Sequence, residues 1–251
     1  SGFREEDIPC SAAVKVCIRS GRGLERPRRL NFGSAGTWLP PQKDDAAGGD
    51  TQLRAAAMGD LFRRLFRFHG LRPGQQKILE QLLQQKSLLL SMPAGSGKSL
   101  LTHFAGLLQP APSIVIAPLS SVVMDQRDML REHFIDADIS MYDSLGKEDR
   151  LTALRQFLGR ESLMCHLTAE LFRTEEVVDF LKQMSDGGVV FNQCVIEEAH
   201  ALSEWSHDFR SNIQLAPAFA AGRLPAGKGK ILPLRLLTGS VSHDVVVDLR
   251  R

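Results

Sequence analysis

From about residue 58 onward the chain alternates between two kinds of hydrophobic pattern. One is helical. In "GDLFRRLFRF" the apolar positions Leu61, Phe62, Leu65 and Phe66 recur at three- and four-residue spacing. "PGQQKILEQLLQQ" predicts a second helix, with Pro73 suited to its first turn. "KSLLTHFAGLL", "SSVVMDQRDMLREHF", "KEDRLTALRQFL" and "AELFRTEEVVDFLKQM" predict four more. The other kind is a short apolar run without polar alternation: "SLLLSM" (87–92), "SIVIA" (113–117), "ESLMCH" (161–166), "CVIE" (194–197) and "LRLLT" (234–238). Such runs predict strands buried on both faces. Strands alternating with helices predict an α/β fold, a parallel sheet flanked by helices on both faces.

Residues 1–57 lack this regularity. The stretch "SGRGLERPRRLNFGSAGTWLPPQKDDAAGGD" mixes Gly, Pro, Arg and Asp with no sustained apolar period. It is expected to be a mostly irregular N-terminal extension, disordered or loosely packed, ahead of a domain spanning 58–251. Within it "AAVKVCI" (12–18) alternates enough for a short strand. The arginines at 19, 22, 26, 28 and 29 suit either a solvated tail or a nucleic-acid contact, and charge runs are more commonly the former.

Composition narrows the function classes. At 43% hydrophobic residues the 251-residue chain has enough for a buried core. A net charge of +2 argues against a global polyanion binder, so any nucleic-acid contact must be a local patch. No apolar run approaches the roughly 18 residues of a membrane span, so no membrane partner is expected. Glu5, Glu6 and Asp7 do not fit a signal peptide. The four cysteines form no CxxC pair, which argues against a zinc site. Cys165 and Cys194 lie in apolar runs and read as buried thiols, which fits a reducing compartment.

The candidate chemistry sits at the ends of the predicted strands, where open α/β sheets bind ligands. "SMPAGSGKSL" (91–100) follows a strand and opens a helix. The backbone amides from Ala94 through Gly95, Ser96 and Gly97 and the helix N-terminus suit phosphate binding. Lys98 is suited to reach β- and γ-phosphates, and the Ser99 hydroxyl to ligate Mg²⁺. A plain Gly/Ser turn is the alternative. GxxxxGK[ST] would require glycine at Met92. "CVIEEAH" ends another strand with two carboxylates and a histidine. There Glu197 suits the metal's shell and Glu198 the activation of an attacking water. The alternative is two surface glutamates beside a histidine. Trp205 and Phe209, taken alone, are more often core than contact residues. They nonetheless stand in a polar stretch of the kind that stacks on unpaired bases.

Together these stretches resemble superfamily-two helicases. Met92 to Ser99 resembles motif I, whose start in that superfamily replaces the first glycine. Glu197-Glu198-Ala199-His200 resembles the DEAH form of motif II, with Glu for the usual Asp. "EEAHALSEWSHDFR" (197–210) closely resembles the motif II and aromatic loop of RecQ DNA helicases. "FRFHGLRPGQ" (66–75) resembles their motif 0, "IVIAPLSSVVMDQ" (114–126) their motif Ia, and "LLTGSVS" (236–242) motif III. "HLTAELF" (166–172) resembles a later DNA-facing motif, with Ala169 replacing proline.

The resemblance implies a RecA-like P-loop NTPase fold, and ATP and Mg²⁺ as cofactors. Phe68 would stack on adenine, and Arg72 and Gln75 would contact the nucleotide. Lys98, Glu198 and His200 would be catalytic, and Ser99 and Glu197 would hold the metal. Ser120, Trp205, His207, Phe209 and Arg210 would face DNA. The implied activity is ATP-dependent 3′-to-5′ translocation on single-stranded and forked DNA, in nuclear, otherwise cytoplasmic, repair and recombination. A second RecA-like domain, expected as a partner but absent from this chain, would complete the cleft. The domain alone is therefore expected to bind ATP weakly and not to unwind DNA processively. The competing expectation is a degenerate motor domain that binds nucleic acid or protein without turnover. A DEAH-type RNA helicase is a third reading, disfavoured by the aromatic loop.

Overall fold

The computed structural model describes residues 12–15, 29–32, 49–84, 87–109, 111–133, 138–141, 145–158, 162–186, 189–200 and 232–239. Two short strands, β1 (Ala12–Lys15) and β2 (Arg29–Phe32), pair antiparallel. The rest of the described chain builds one sheet from β3 (Leu88–Ser91), β4 (Ser113–Ala117), β5 (Asp138–Met141), β6 (Met164–Thr168), β7 (Gln193–Ile196) and β8 (Leu234–Thr238). Their order is β3-β8-β7-β4-β6-β5, and every pairing is parallel. The helices are α1 (Gly49–Phe66), α2 (Gln75–Leu83), α3 (Lys98–Leu107), α4 (Ser120–Glu132), α5 (Lys147–Leu158) and α6 (Glu175–Asp186).

Alternate residues of each strand feed opposite cores, which is why the strands read as unbroken apolar runs. Along β4, Ile114 and Ile116 join Leu154, Phe157, Val177, Phe180 and Leu181 of α5 and α6. Val115, between them, joins Phe62 and Phe66 of α1, Leu79 and Leu82 of α2, and Leu101 and Phe104 of α3. Helices therefore cover both faces, as the patterning predicts.

Several boundaries differ from expectation. The first helix begins at Gly49, inside the stretch read as irregular. Ala55, Ala56 and Ala57 carry the highest helix propensity and extend the helix backwards. The strand read at 161–166 lies at Met164–Thr168, because Ile116 and Ala117 of β4 pair with Leu167 and Thr168. The single helix read over 169–184 is a 3-10 turn (Leu171–Arg173) followed by α6. Thr174 is extended at ψ 145° and its hydroxyl donates to Leu171 O, 2.8 Å, which separates the two. β5 was not anticipated. As expected, Cys165 and Cys194 are buried free thiols, and burial pushes the Cys194 thiol up to about 12.

Candidate active site

The carboxyl ends of β3, β8 and β7 lie side by side. Ser91 is in register with Thr238 and Ile196 with Leu236. Past β3, Met92 N–H donates to Thr238 O at 3.1 Å, and the loop turns into α3. Gly95 and Gly97 hold φ of 71° and 88°, the left-handed region that glycine adopts without strain. At Gly97 space is limiting too, since a Cβ there would meet Gln75 Nε2 at 2.9 Å.

That contact belongs to a clamp formed by the segment before α2. Gln75 is buried; its Oε1 accepts from Arg72 N–H (2.7 Å) and its Nε2 donates to Ser96 O (2.8 Å). The Arg72 guanidinium donates to Gly95 O at 3.0 Å. Each end of the Gln75 amide keeps one further hydrogen-bonding position for a ligand. Lys98 Nζ folds back onto Met92 O (2.8 Å) and Pro93 O (3.2 Å), so an arriving phosphate would exchange for these carbonyls. Ala94 is exposed at the loop's outer turn. Phe68 is 46% exposed; it stacks on Phe62 at 6.2 Å and meets the His133 ring edge-on at 5.1 Å.

Across the cleft β7 delivers the carboxylates. Glu197 N–H donates to Ile116 O (2.8 Å), and Ala199 N–H to Leu237 O (2.7 Å). The Glu197 side chain is buried and accepts a hydrogen bond from Ser99, while its Oε1 has no partner. Burial pushes this carboxyl up to about 7, against the Ser99 hydrogen bond; the Glu198 charge adds to the rise, and His166 and Lys98 oppose it. Glu198 sits at φ 49°, a left-handed conformation uncommon for a residue with a side chain. Its Oε2 lies 3.3 Å from His200 Nδ1, which is also 3.1 Å from Thr238 Oγ1. A proton on that nitrogen can donate to either oxygen.

Ser99 and Glu197 fit a hard divalent cation. Both offer oxygen, and the unpartnered Oε1 is a buried acceptor in need of a donor or a cation. Among the described residues there is no cluster of three or more His, Cys, Asp or Glu that could cage a metal. Two protein oxygens with substrate phosphates completing the shell is the usual magnesium arrangement.

The structure thus brings Arg72, Gln75, residues 94–99, Glu197, Glu198 and His200 to one end of the sheet; Phe68 packs instead against Phe62 of α1 and against His133, past the C-terminal end of α4. Ser120, half-buried, opens α4 just beyond the end of β4. Trp205, His207, Phe209 and Arg210 lie outside the described residues. Among the buried polar side chains that the sequence does not announce are His103, His166 and Arg235. His103 and His166 face each other with Nε2 atoms 2.9 Å apart, so one must donate and the other accept. Burial, and then His166, hold His103 well below the usual imidazole range. Arg235, on β8, donates to Leu82 O at 2.6 Å, at the C-terminal end of α2. Position in an apolar helix or strand was the only sign of these three, and it does not reveal a pairing.

A parallel sheet, a glycine loop opening α3 with lysine and serine, and strand-end carboxylates define a RecA-like P-loop NTPase domain. Residues 72–225 match the DEAD/DEAH box helicase family, and the chain belongs to it. Within that family it is a RecQ-like motor domain. It is 29% identical over 191 residues to the ATP-dependent DNA helicase RecQ of Haemophilus influenzae, covering 76% of this chain and 29% of that one. To the RecQ of Synechocystis it is 28% identical over 189 residues, 75% of this chain and 38% of that protein. To the RecQ-like DNA helicase BLM of Xenopus laevis it is 25% identical over 266 residues, 97% of this chain and 18% of that protein. The chain spans well under half the length of these relatives. Among the described residues no helix is long and apolar enough to cross a membrane.

Proposed function

We propose that this chain is the ATP-binding motor domain of a 3′-to-5′ DNA helicase, coupling ATP hydrolysis to movement along single-stranded DNA and unwinding of forked duplexes. The observation that carries this reading is the convergence of Lys98, Ser99, Glu197 and Glu198 past the carboxyl ends of β3 and β7, which flank β8. Phe68 and Arg72 hold the adenine from its faces, and Gln75 reads its edge. The amides of residues 94–99 and the Lys98 ammonium bind the phosphates. Ser99 and Glu197 would hold a magnesium ion, which would supply positive charge against the phosphates. Glu198, held by its backbone conformation, orients the attacking water and takes its proton. His200, shared between Glu198 and Thr238, links the carboxylates to β8. Ser120 and the Trp205–Arg210 segment contact DNA, the aromatic rings stacking on bases. A second RecA-like domain is the partner that closes such a cleft and stabilises the developing charge.

One feature favours a second reading, a degenerate motor domain that binds without turnover: the first carboxylate is a buried glutamate drawn toward the neutral form. Measuring ATP hydrolysis with and without single-stranded oligonucleotide, in a protein that also carries the second RecA-like domain, separates the two. Wild type should show DNA-stimulated turnover, and Lys98→Ala and Glu198→Gln should fall to background, a loss of about 100-fold or more for the glutamate. Wild type indistinguishable from both variants would favour binding without turnover.

A further inference from the structure

Arg235 stands on β8 among apolar neighbours, in register with Leu88 and Val195. Its side chain is fully buried and reaches α2 on the side of the core that holds Leu79 and Leu82. There the guanidinium makes one bond: Nη2 donates to Leu82 O at 2.6 Å. Its other two nitrogens, Nε and Nη1, are buried without a partner. The acceptor is a backbone carbonyl, not a carboxylate. Stability does not account for an arginine at this position. A buried charge without a counter-charge is costly, and apolar residues of similar volume in such places are often neutral or stabilising.

The bond does fix α2. That helix has nine residues, too few to persist by itself. Gly74 precedes it without a side-chain cap, its first turn has no acidic residue and its last turn no basic one. The cation at its C-terminal end comes instead from β8, 153 positions along the chain, where it meets the negative end of the helix dipole. At the other end of α2, Gln75 Nε2 donates to Ser96 O at 2.8 Å. β8 reaches the same loop, since Thr238 O accepts from Met92 N–H at 3.1 Å. Leu82 to Gln75 is about 10.5 Å of helix, and Arg235 to Thr238 about 10 Å of strand. Helix, strand and loop therefore form a closed ring, and Arg235 closes it at the end of the sheet away from the loop. Apolar packing of α2 is non-directional and sets its height less sharply than a hydrogen bond does. A slide of one residue's rise, about 1.5 Å, would break the Gln75 bond to Ser96 O.

We infer that Arg235 is a positioning residue for nucleotide recognition: it holds α2 at the height where the Gln75 amide is braced on Ser96 O and keeps a hydrogen-bonding position for the base. The inference rests on the reading of Gln75 as the group that reads adenine. Arg235 lies at the opposite end of α2 from that site and acts through the helix. It therefore governs preference among bases, while phosphate binding stays with Lys98 and the loop amides.

Equilibrium binding of ADP, GDP and pyrophosphate to the 251-residue chain tests this, in wild type, Arg235→Met, Arg235→Lys and Gln75→Ala. Wild type should favour ADP over GDP. Arg235→Met should lose about fivefold of that preference, the scale of one hydrogen bond. Its pyrophosphate affinity should be unchanged and its denaturant midpoint unchanged or raised. Arg235→Lys keeps a charged donor and should retain most of the preference. Adding Gln75→Ala to Arg235→Met should lose little more. Preserved preference in Arg235→Met, additive losses in the double variant, or a lowered midpoint with ADP, GDP and pyrophosphate weakened alike would overturn the inference and leave Gln75 in its role. If Arg235→Met does not fold, the wild type decides. Its ¹⁵N-labelled Arg235 Nε–H resonance should move on binding ADP and stay in place with pyrophosphate, and the same response to both would overturn the inference. A wild type without adenine preference, or with a preference that Gln75→Ala leaves intact, would overturn the reading of Gln75 and the inference with it.

Discussion

The two sides of the cleft are built on opposite principles. On the loop side, polar groups that are candidates for holding a nucleotide are already engaged: Gln75 with Arg72 and Ser96, Arg72 with Gly95, Lys98 with Met92 and Pro93. On the carboxylate side the groups are left in tension. Glu197 is buried with an unpartnered oxygen, and Glu198 holds a left-handed backbone. His200 divides one nitrogen between two oxygens. A loop closed on its own bonds keeps its shape between ligands and exchanges internal partners for phosphate. A carboxylate strand with an orphaned acceptor has no equivalent internal substitute. On the proposed reading a cation would complete its polar groups, as in a site that stores strain where chemistry occurs.

The largest effect should come from the carboxylate side, without any ligand. Folding raises the Glu197 carboxyl from its ordinary 4.5 to about 7. The folded state therefore holds this proton more tightly than the unfolded chain does. Its contribution to stability is complete below pH 4.5 and is lost as pH rises through about 7. Glutamine does not titrate. The stability of wild type minus Glu197→Gln should fall by about 3 kcal/mol between these limits, read by denaturant melts across pH 4 to 8. A difference independent of pH would mean the carboxylate is not in tension.

Next, the loop side. Gly97→Ala should destabilise the domain by about 1–3 kcal/mol, through left-handed strain plus the collision with Gln75 Nε2. Gly95→Ala, at φ 71° with nothing within 4 Å of the added Cβ, carries the strain alone and should cost less. Equal costs for the two would show that the Gln75 clamp is not what holds this loop. The smallest effect is expected from Thr238→Val. It removes one hydroxyl partner of His200 and should cost about 1 kcal/mol, with a shift of the His200 imidazole resonances. Unmoved His200 resonances would break the proposed link between the carboxylates and β8.

Much of this architecture was legible because each part rests on local chemistry. β4 reads as "SIVIA" because both its faces are buried, and Gly95-Ser96-Gly97-Lys98-Ser99 reads as a candidate phosphate loop because glycines beside a Lys-Ser pair open a helix there. β5 was illegible: "DISM" is short, polar at two of four positions, and lies at the sheet edge, where few neighbours enforce a pattern. The split before α6 did have a signal, since Thr174 precedes Glu175 and Glu176, a favoured helix start. The tension at Glu197 was half legible. The extra methylene could be read from the sequence, but the burial and the Ser99 contact depend on how β7 and α3 meet. The His103–His166 pair depends on residues 63 positions apart and leaves no local trace.

On the proposed reading the loop and the carboxylates form one nucleotide site. Titration of the chain with a fluorescent ADP analogue and Mg²⁺ tests it most directly, in wild type, Lys98→Ala and Ser99→Ala. Saturable, metal-dependent binding is expected in wild type, weakened at least about tenfold in Lys98→Ala, the equivalent of one lost charge-assisted contact. In Ser99→Ala the dependence on metal should largely disappear. Identical binding by all three proteins, or binding indifferent to the metal in wild type, would contradict it.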